Sequence, residues 1–230
     1  MTLSRRDFAL FAAAFAGLSP LAAQAQNSVM KAPPSPPRRA TFTAQQREDL
    51  ARISAYLNGI STLAADFSQI NPQGGVTQGV FYLSRPGRLR FEYRAPSPTL
   101  IVANGGNIYV RNSRLNTVDR YSVSDTPLEL LLRENIDMER NPAILGVDRI
   151  AGADGQLEGL ALRARSSTNR MQDNITIAFA VRPTFEIRQW TVRDAQGGNT
   201  QVGLTRIRMD VDTPDSLFAV PVRTPSTRKG

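Results

Sequence analysis

The chain has 230 residues, 41% of them hydrophobic, a net charge of +8, and neither cysteine nor histidine. That length supplies one domain with a sizeable core, while the missing residue types exclude disulfides, Ser-His-Asp and Cys-His catalysis, and nearly every zinc or haem site. Its only lysines, Lys31 and Lys229, lie in the terminal regions, so Schiff-base, Ser-Lys and Walker lysines are not expected in the fold either.

Residues 1–25 read as an export signal. Arg5 and Arg6 precede an apolar stretch from Phe8 to Leu18, and the small-residue site Ala23-Gln24-Ala25 follows. The segment "SRRDFAL" fits the twin-arginine export pattern, and it also fits an ordinary secretory n-region with two arginines. Either route leads out of the cytoplasm. The stretch is too short to span a bilayer, and no later segment approaches about 18 unbroken apolar residues, so the mature chain is expected to be soluble. Residues 26–41 contain "KAPPSPPRR", an extended tether that cannot join a core. Residues 42–222 carry the domain, and 223–230, "RTPSTRKG", form a flexible basic tail. The arginines are dispersed along strands and form no block, which argues for solvated surface and against a nucleic-acid footprint.

Within the domain, Thr43 and Gln46 make a Thr-x-x-Gln capping box, Leu50, Ile53, Leu57 and Ile60 recur at helical spacing, and Asn58-Gly59 supplies the stop. From Leu63 the pattern changes to strands: "LAADFSQI", "GVFYLSR", "RLRFEYR", "TLIVA", "NIYVRN" and "LNTVDRYSV" follow in close order, with "NGGN" (Asn104 to Asn107) as a tight turn. A second capping box, Thr126-Pro127-Leu128-Glu129, leads into a short apolar helix through Leu130, Leu131 and Leu132. Strands resume around Ala143–Ala151, Leu157–Arg165, Ile175–Val181, Glu186–Arg193 and Thr200–Met209. In the last of these the apolar parity changes between Leu204 and Ile207, which predicts a bulge near Gly203 to Arg206 and a bent sheet. The fold class is therefore mainly β with helices: a curved antiparallel sheet of about eleven strands, its apolar face covered by the amphipathic helix.

Carboxylates are the chemistry that remains. Asp210, Asp212 and Asp215 sit close together but lack the glycine and terminal glutamate of a calcium loop, and a solvated turn is expected. No metal, no cofactor and no enzymatic activity are expected. A carboxylate pair distant in sequence would be the one route to an enzyme. The unusual position is Arg85. Continuing the Phe81/Leu83 alternation by one step aims a permanent cation at the apolar face. Pro86-Gly87 could end the strand early and let the side chain reach solvent, and the apolar faces could close on an ordinary core; the alternative is a lipid cavity gated by the short helix.

Several pieces resemble the LolA-like periplasmic outer-membrane lipoprotein carrier family: "LNGISTLAADFSQ" (Leu57 to Gln69), "GVFYLSRPGRLRFEY" (Gly79 to Tyr93), "LIVANGGNIYV" (Leu100 to Val110), "DTPLELLL" (Asp125 to Leu132) and "QWTVRDAQGGNTQVGL" (Gln189 to Leu204). They come in the family's order and span nearly the whole mature domain. The resemblance implies an incomplete (half) β-barrel whose concave side is covered by the N-terminal helix and short lid helices. It makes Arg85 a lid latch that bonds lid-helix carbonyls. By strand parity Phe81, Leu83, Leu89, Phe91 and Tyr93 would line the cavity, with Leu128, Leu131 and Leu132 beneath the lid. It further implies a periplasmic monomer that carries lipoprotein acyl chains from inner to outer membrane, loaded by an inner-membrane ABC-type lipoprotein-releasing transporter, with no nucleic acid bound. The proline-rich tether and the basic tail are not features of the family pattern and leave the outer-membrane acceptor open. Two rivals share the fold: a sensor of lipid or lipoprotein, and a carrier of another lipid.

Overall fold

Thr43 opens the first helix, α1 (Ala44–Asn58), through a complete capping box: its hydroxyl accepts the Gln46 N–H at 3.2 Å, and the Gln46 side chain accepts the Thr43 N–H at 3.0 Å. This computed structural model describes residues 40–126, 128–165, 174–194 and 196–222. The export signal, the tether as far as residue 39, Pro127 of the second capping box and the basic tail lie outside the described residues. Among those described, no helix is long and apolar enough to cross a membrane. Thr43→Ala removes one of the helix's orphan-donor partners and is expected to cost about 1 kcal/mol, read as a lower denaturation midpoint at unchanged slope.

Eleven strands follow: β1 (Thr62–Ile70), β2 (Val76–Ser84), β3 (Arg88–Tyr93), β4 (Thr99–Asn104), β5 (Asn107–Asn112), β6 (Thr117–Ser122), β7 (Ile144–Ala151), β8 (Leu157–Arg165), β9 (Asn174–Ala180), β10 (Glu186–Arg193) and β11 (Asn199–Met209). They form one antiparallel sheet in the order β6-β5-β4-β3-β2-β1-β11-β10-β9-β8-β7. Two meanders thus meet at a single seam, where β1 pairs with β11. β6 and β7 are edges, so the sheet is open. The β4–β5 turn holds Gly105 and Gly106 at φ +58° and +78°, the conformation that a two-residue hairpin turn requires and that side chains disfavour.

Curvature comes from interruptions of the ladder. At the seam Ala64 pairs with Arg208 while Asp66 pairs with Thr205, which leaves an extra residue in β11; Arg206 takes it up at φ +52°. This is the bulge expected from the change of parity. Further shifts lie between Ile187 and Gln189 in β10 and twice along β7. Each adds local twist and bends the sheet around one apolar face.

That face carries Leu63, Phe67, Phe81, Leu83, Leu89, Phe91, Ile177, Trp190, Val202 and Leu204, all buried, and α1 contributes Leu50, Ile53 and Leu57 to the same core. The helix is tied across it by polar contacts as well. Near its N-terminus buried Asp49 accepts two bonds from Arg149 of β7, at 3.0 and 3.2 Å. Farther along, Tyr56 Oη accepts the Ile187 N–H at 3.1 Å, in the interrupted stretch of β10.

Between β6 and β7 the chain forms a 3-10 turn (Val123–Asp125) and the short helix α2 (Glu129–Leu132). The capping box expected at Thr126 is not formed. The Glu129 N–H that the cap would hold donates instead to the Thr126 carbonyl at 3.2 Å, the Thr126 hydroxyl donates to the Val123 carbonyl at 2.9 Å, and α2 begins after Leu128 with no side-chain cap. On the opposite face of β3 a second 3-10 turn (Asp215–Phe218) buries Phe218 beneath Arg88, and Asp215 pairs with Arg88. The acidic run near the chain's end therefore supplies an ion-pair partner on the sheet's outer side.

Candidate functional site

The candidate site is the apolar face together with the segment that closes over it, residues 128–138. Leu128, Leu130, Leu131 and Leu132 are all buried, so α2 is apolar on every side except at Glu129. A four-residue helix has almost no intrinsic stability and leaves its terminal carbonyls without helical partners. Its hold on the molecule must come from elsewhere.

Arg85 provides much of it. It stands in the three-residue corner between β2 and β3, where Gly87 adopts φ +80°. Its Nε donates to the Arg133 carbonyl at 3.2 Å and its Nη2 to the Glu134 carbonyl at 3.1 Å; further bonds reach the carbonyls of Arg133 and Leu57. The Gly87 N–H donates to the Leu132 carbonyl at 3.0 Å. One corner of the sheet thus satisfies three successive carbonyls at the end of α2 and, through Leu57, the C-terminal end of α1. A guanidinium suits this task because its donors fan out in a plane and it stays charged. Burial pushes its pKa below the ordinary arginine value, the direction set by desolvating a cation.

Two residues of α1 that the sequence does not single out for the site complete the attachment. Asn58 donates from its amide to the Ile136 carbonyl at 2.8 Å and accepts the Ile136 N–H at 3.0 Å, pairing with that residue as a neighbouring strand would. Ser54 donates to the Leu50 carbonyl at 2.8 Å and accepts the Met138 N–H at 3.0 Å. Ile136 and Met138 are themselves buried. Ser54 and Asn58 are four apart, which places both on one face of α1; Asn58 had read only as a helix stop.

The other predicted positions fall as follows. Phe81, Leu83, Leu89 and Phe91 are at most 3% exposed, and with Leu128, Leu131 and Leu132 they belong to one contiguous apolar cluster. Phe81 and Phe91 pack ring to ring at 4.6 Å, and Phe67 meets Phe91 edge-on at 5.2 Å. Tyr93 is half-buried at the border of the cluster, its hydroxyl donating to Gln69 Oε1 at 2.7 Å, and burial pushes its phenol pKa up. Leu130, Ile136, Met138 and Trp190 join the same cluster without having been singled out. Their apolar character was visible; their convergence was not. Among the described residues no group of three or more acidic side chains is placed to hold a metal.

Comparison with known proteins gives this arrangement a context. A family model described as outer membrane lipoprotein carrier protein LolA matches residues 58–221. An outer-membrane lipoprotein carrier protein of Chromobacterium violaceum is 27% identical over 184 residues, covering 76% of this chain and 84% of the relative. One from Chromohalobacter salexigens is 26% identical over 207 residues, covering 82% and 91%. A solved LolA superfamily protein from Nitrosomonas europaea aligns with a TM-score of 0.41 and 13% identity, over 77% of this chain and 98% of that one, too loosely to bear on function. With the family model spanning well over half its length, from the end of α1 past the last strand, the chain belongs to the LolA outer-membrane lipoprotein carrier family.

Proposed function

We propose that the protein is a periplasmic, non-enzymatic carrier that takes up the acyl chains of lipoproteins beneath residues 128–138 and shuttles them from the inner to the outer membrane. Arg85 is the latch of the lid. Phe81, Leu83, Leu89, Phe91 and Tyr93 line the cavity from the sheet, and Leu128, Leu131 and Leu132 from the lid. An inner-membrane ABC-type transporter loads the carrier.

Magnitude explains the need for a carrier. At about 0.8 kcal/mol per methylene, one chain of about fifteen methylenes holds to a bilayer by roughly 12 kcal/mol, so unassisted transfer through water is too slow. A carrier must match that affinity on arrival and relinquish the cargo afterwards. The observation that carries the reading is the clustering of Arg85, Asn58 and Ser54 bonds on the backbone of residues 133–138. These bonds form when the lid closes, so closure competes with cargo and lowers its net affinity.

The purified protein is expected to withdraw a triacylated lipoprotein from inner-membrane vesicles bearing the transporter and ATP, and to pass it to outer-membrane vesicles. Retention of the lipoprotein in the donor membrane, with a folded carrier present, overturns the reading. Mass spectrometry of lipid that co-purifies with the protein separates a lipoprotein carrier from a carrier of another lipid.

A further inference from the structure

Trp190 is the chain's only tryptophan. Its side chain is 0% exposed, between its cross-strand neighbours Ile177 and Val202, and its indole meets Phe81 at 6.0 Å and Phe91 at 6.1 Å, both edge-on. Its Nε1–H has no acceptor among the described residues. Other polar groups in and around this core are satisfied: Tyr93 reaches Gln69, Tyr56 takes the Ile187 N–H, and Ser54 and Asn58 hold the lid. An indole usually finds a partner when buried, and a buried donor without one calls for an explanation. Phenylalanine would supply an aromatic ring there without an unmet donor.

We propose that Trp190 Nε1–H is a subsite for the carbonyl oxygen of an acyl ester or amide, so that the core recognises the head of an acyl chain as well as its hydrocarbon. The inference rests on the carrier reading, since it requires a chain to enter beneath the lid. The chemistry of the surroundings selects the ligand. An indole only donates, so the group it meets must accept. Phe81, Phe91, Ile177 and Val202 bring no charge, so an ionised carboxylate would be desolvated without a cation, whereas a neutral carbonyl arrives attached to the hydrocarbon that the site already favours. Acyl esters are therefore preferred over both alkyl ethers and free fatty acids. A donor with no other partner discriminates against a ligand without the carbonyl, because the ether oxygen is the weaker acceptor and leaves the buried donor poorly met.

The single tryptophan makes the test direct. In the nitrogen-15-labelled protein one indole N–H cross-peak reports Trp190 alone. Titration with 1-monodecanoylglycerol and with its ether analogue 1-O-decylglycerol should give about tenfold tighter binding of the ester and a downfield shift of the indole proton with the ester only. Trp190→Phe should bind both probes equally. Equal affinities in the wild type, with the indole proton at one position in both complexes, overturn the subsite while leaving the carrier reading intact. Binding of neither probe removes the acyl cavity and the subsite with it. Because the two probes are compared on the wild type, the subsite stands or falls even where Trp190→Phe fails to fold.

Discussion

Arg85→Leu should release the lid. The substitution strips donors from the carbonyls of Leu57, Arg133 and Glu134 in one step. Hydrogen bonds from a charged donor contribute about 1.5–3 kcal/mol where water is excluded, but this side chain is only partly buried and water can take its place, so about 2 kcal/mol in all is expected for closure. That loss should speed amide exchange across residues 128–138 about thirtyfold, with little change in the β1–β2 ladder. In transfer assays the variant should hold lipoprotein longer, since the competing closed state is weakened while the apolar lining is untouched. Asn58→Ala serves as a companion: it removes both bonds to Ile136 and should speed exchange in the same segment. Acceleration in that variant alone, with wild-type exchange in Arg85→Leu, would place the latch at Asn58 and remove Arg85 from the mechanism.

Gly79→Ala should be the most damaging conservative change in the sheet. A Cβ at Gly79 would lie 2.1 Å from the Glu92 carbonyl oxygen and 2.5 Å from Phe67 Cε1. The first is backbone of the adjoining strand and cannot yield without breaking the β2–β3 ladder. The second is a ring wedged edge-on against Phe91 and Tyr93, at 5.2 and 4.9 Å. Phe67 is directly opposite Gly79 in the β1–β2 register, so the bare glycine is the floor on which this ring lies. Overpacking of this kind costs about 3 kcal/mol, a fall in Tm of roughly 8 °C for a domain of this size. Gly203→Ala supplies the contrast, because its added carbon meets nothing closer than the Ser68 carbonyl oxygen at 4.0 Å; a change within about 0.5 kcal/mol is expected. Equal melting shifts in the two variants would contradict the assignment of Phe67 to that contact.

Local signals carried most of the fold. Thr43 and Gln46 specified the start of α1, paired glycines specified the β4–β5 turn, and the parity change before Ile207 placed a bulge within Gly203 to Arg206, where Arg206 takes it up. Each of these depends on neighbours within a few residues. Thr126 shows where such reading fails: the Glu129 N–H had two acceptors on that residue, and it took the backbone carbonyl in place of the hydroxyl. Arg85 was conspicuous because a cation broke an apolar alternation, yet its bond to Leu57 at the end of α1 was not foreseen. The site roles of Asn58, Ser54 and Trp190 left no local trace. Asn58 meets Ile136 across 78 positions, and the unmet donor of Trp190 exists only because the strands that surround it supply no acceptor. Pairings made by tertiary approach, and partners missing from it, are invisible to spacing.

The seam between β1 and β11 governs how the molecule must be made. Leu63 finds Met209 only after the whole intervening chain is available, and contacts so remote in sequence form late and slowly. Until then each meander can assemble alone, but both leave a bare ladder of backbone donors and acceptors along the future seam. Such edges recruit other chains as readily as their own. The characteristic misassembly is thus an exchange in which the second meander of one molecule zips onto the first strand of another, and dimers of this kind should accumulate when refolding is begun at high protein concentration.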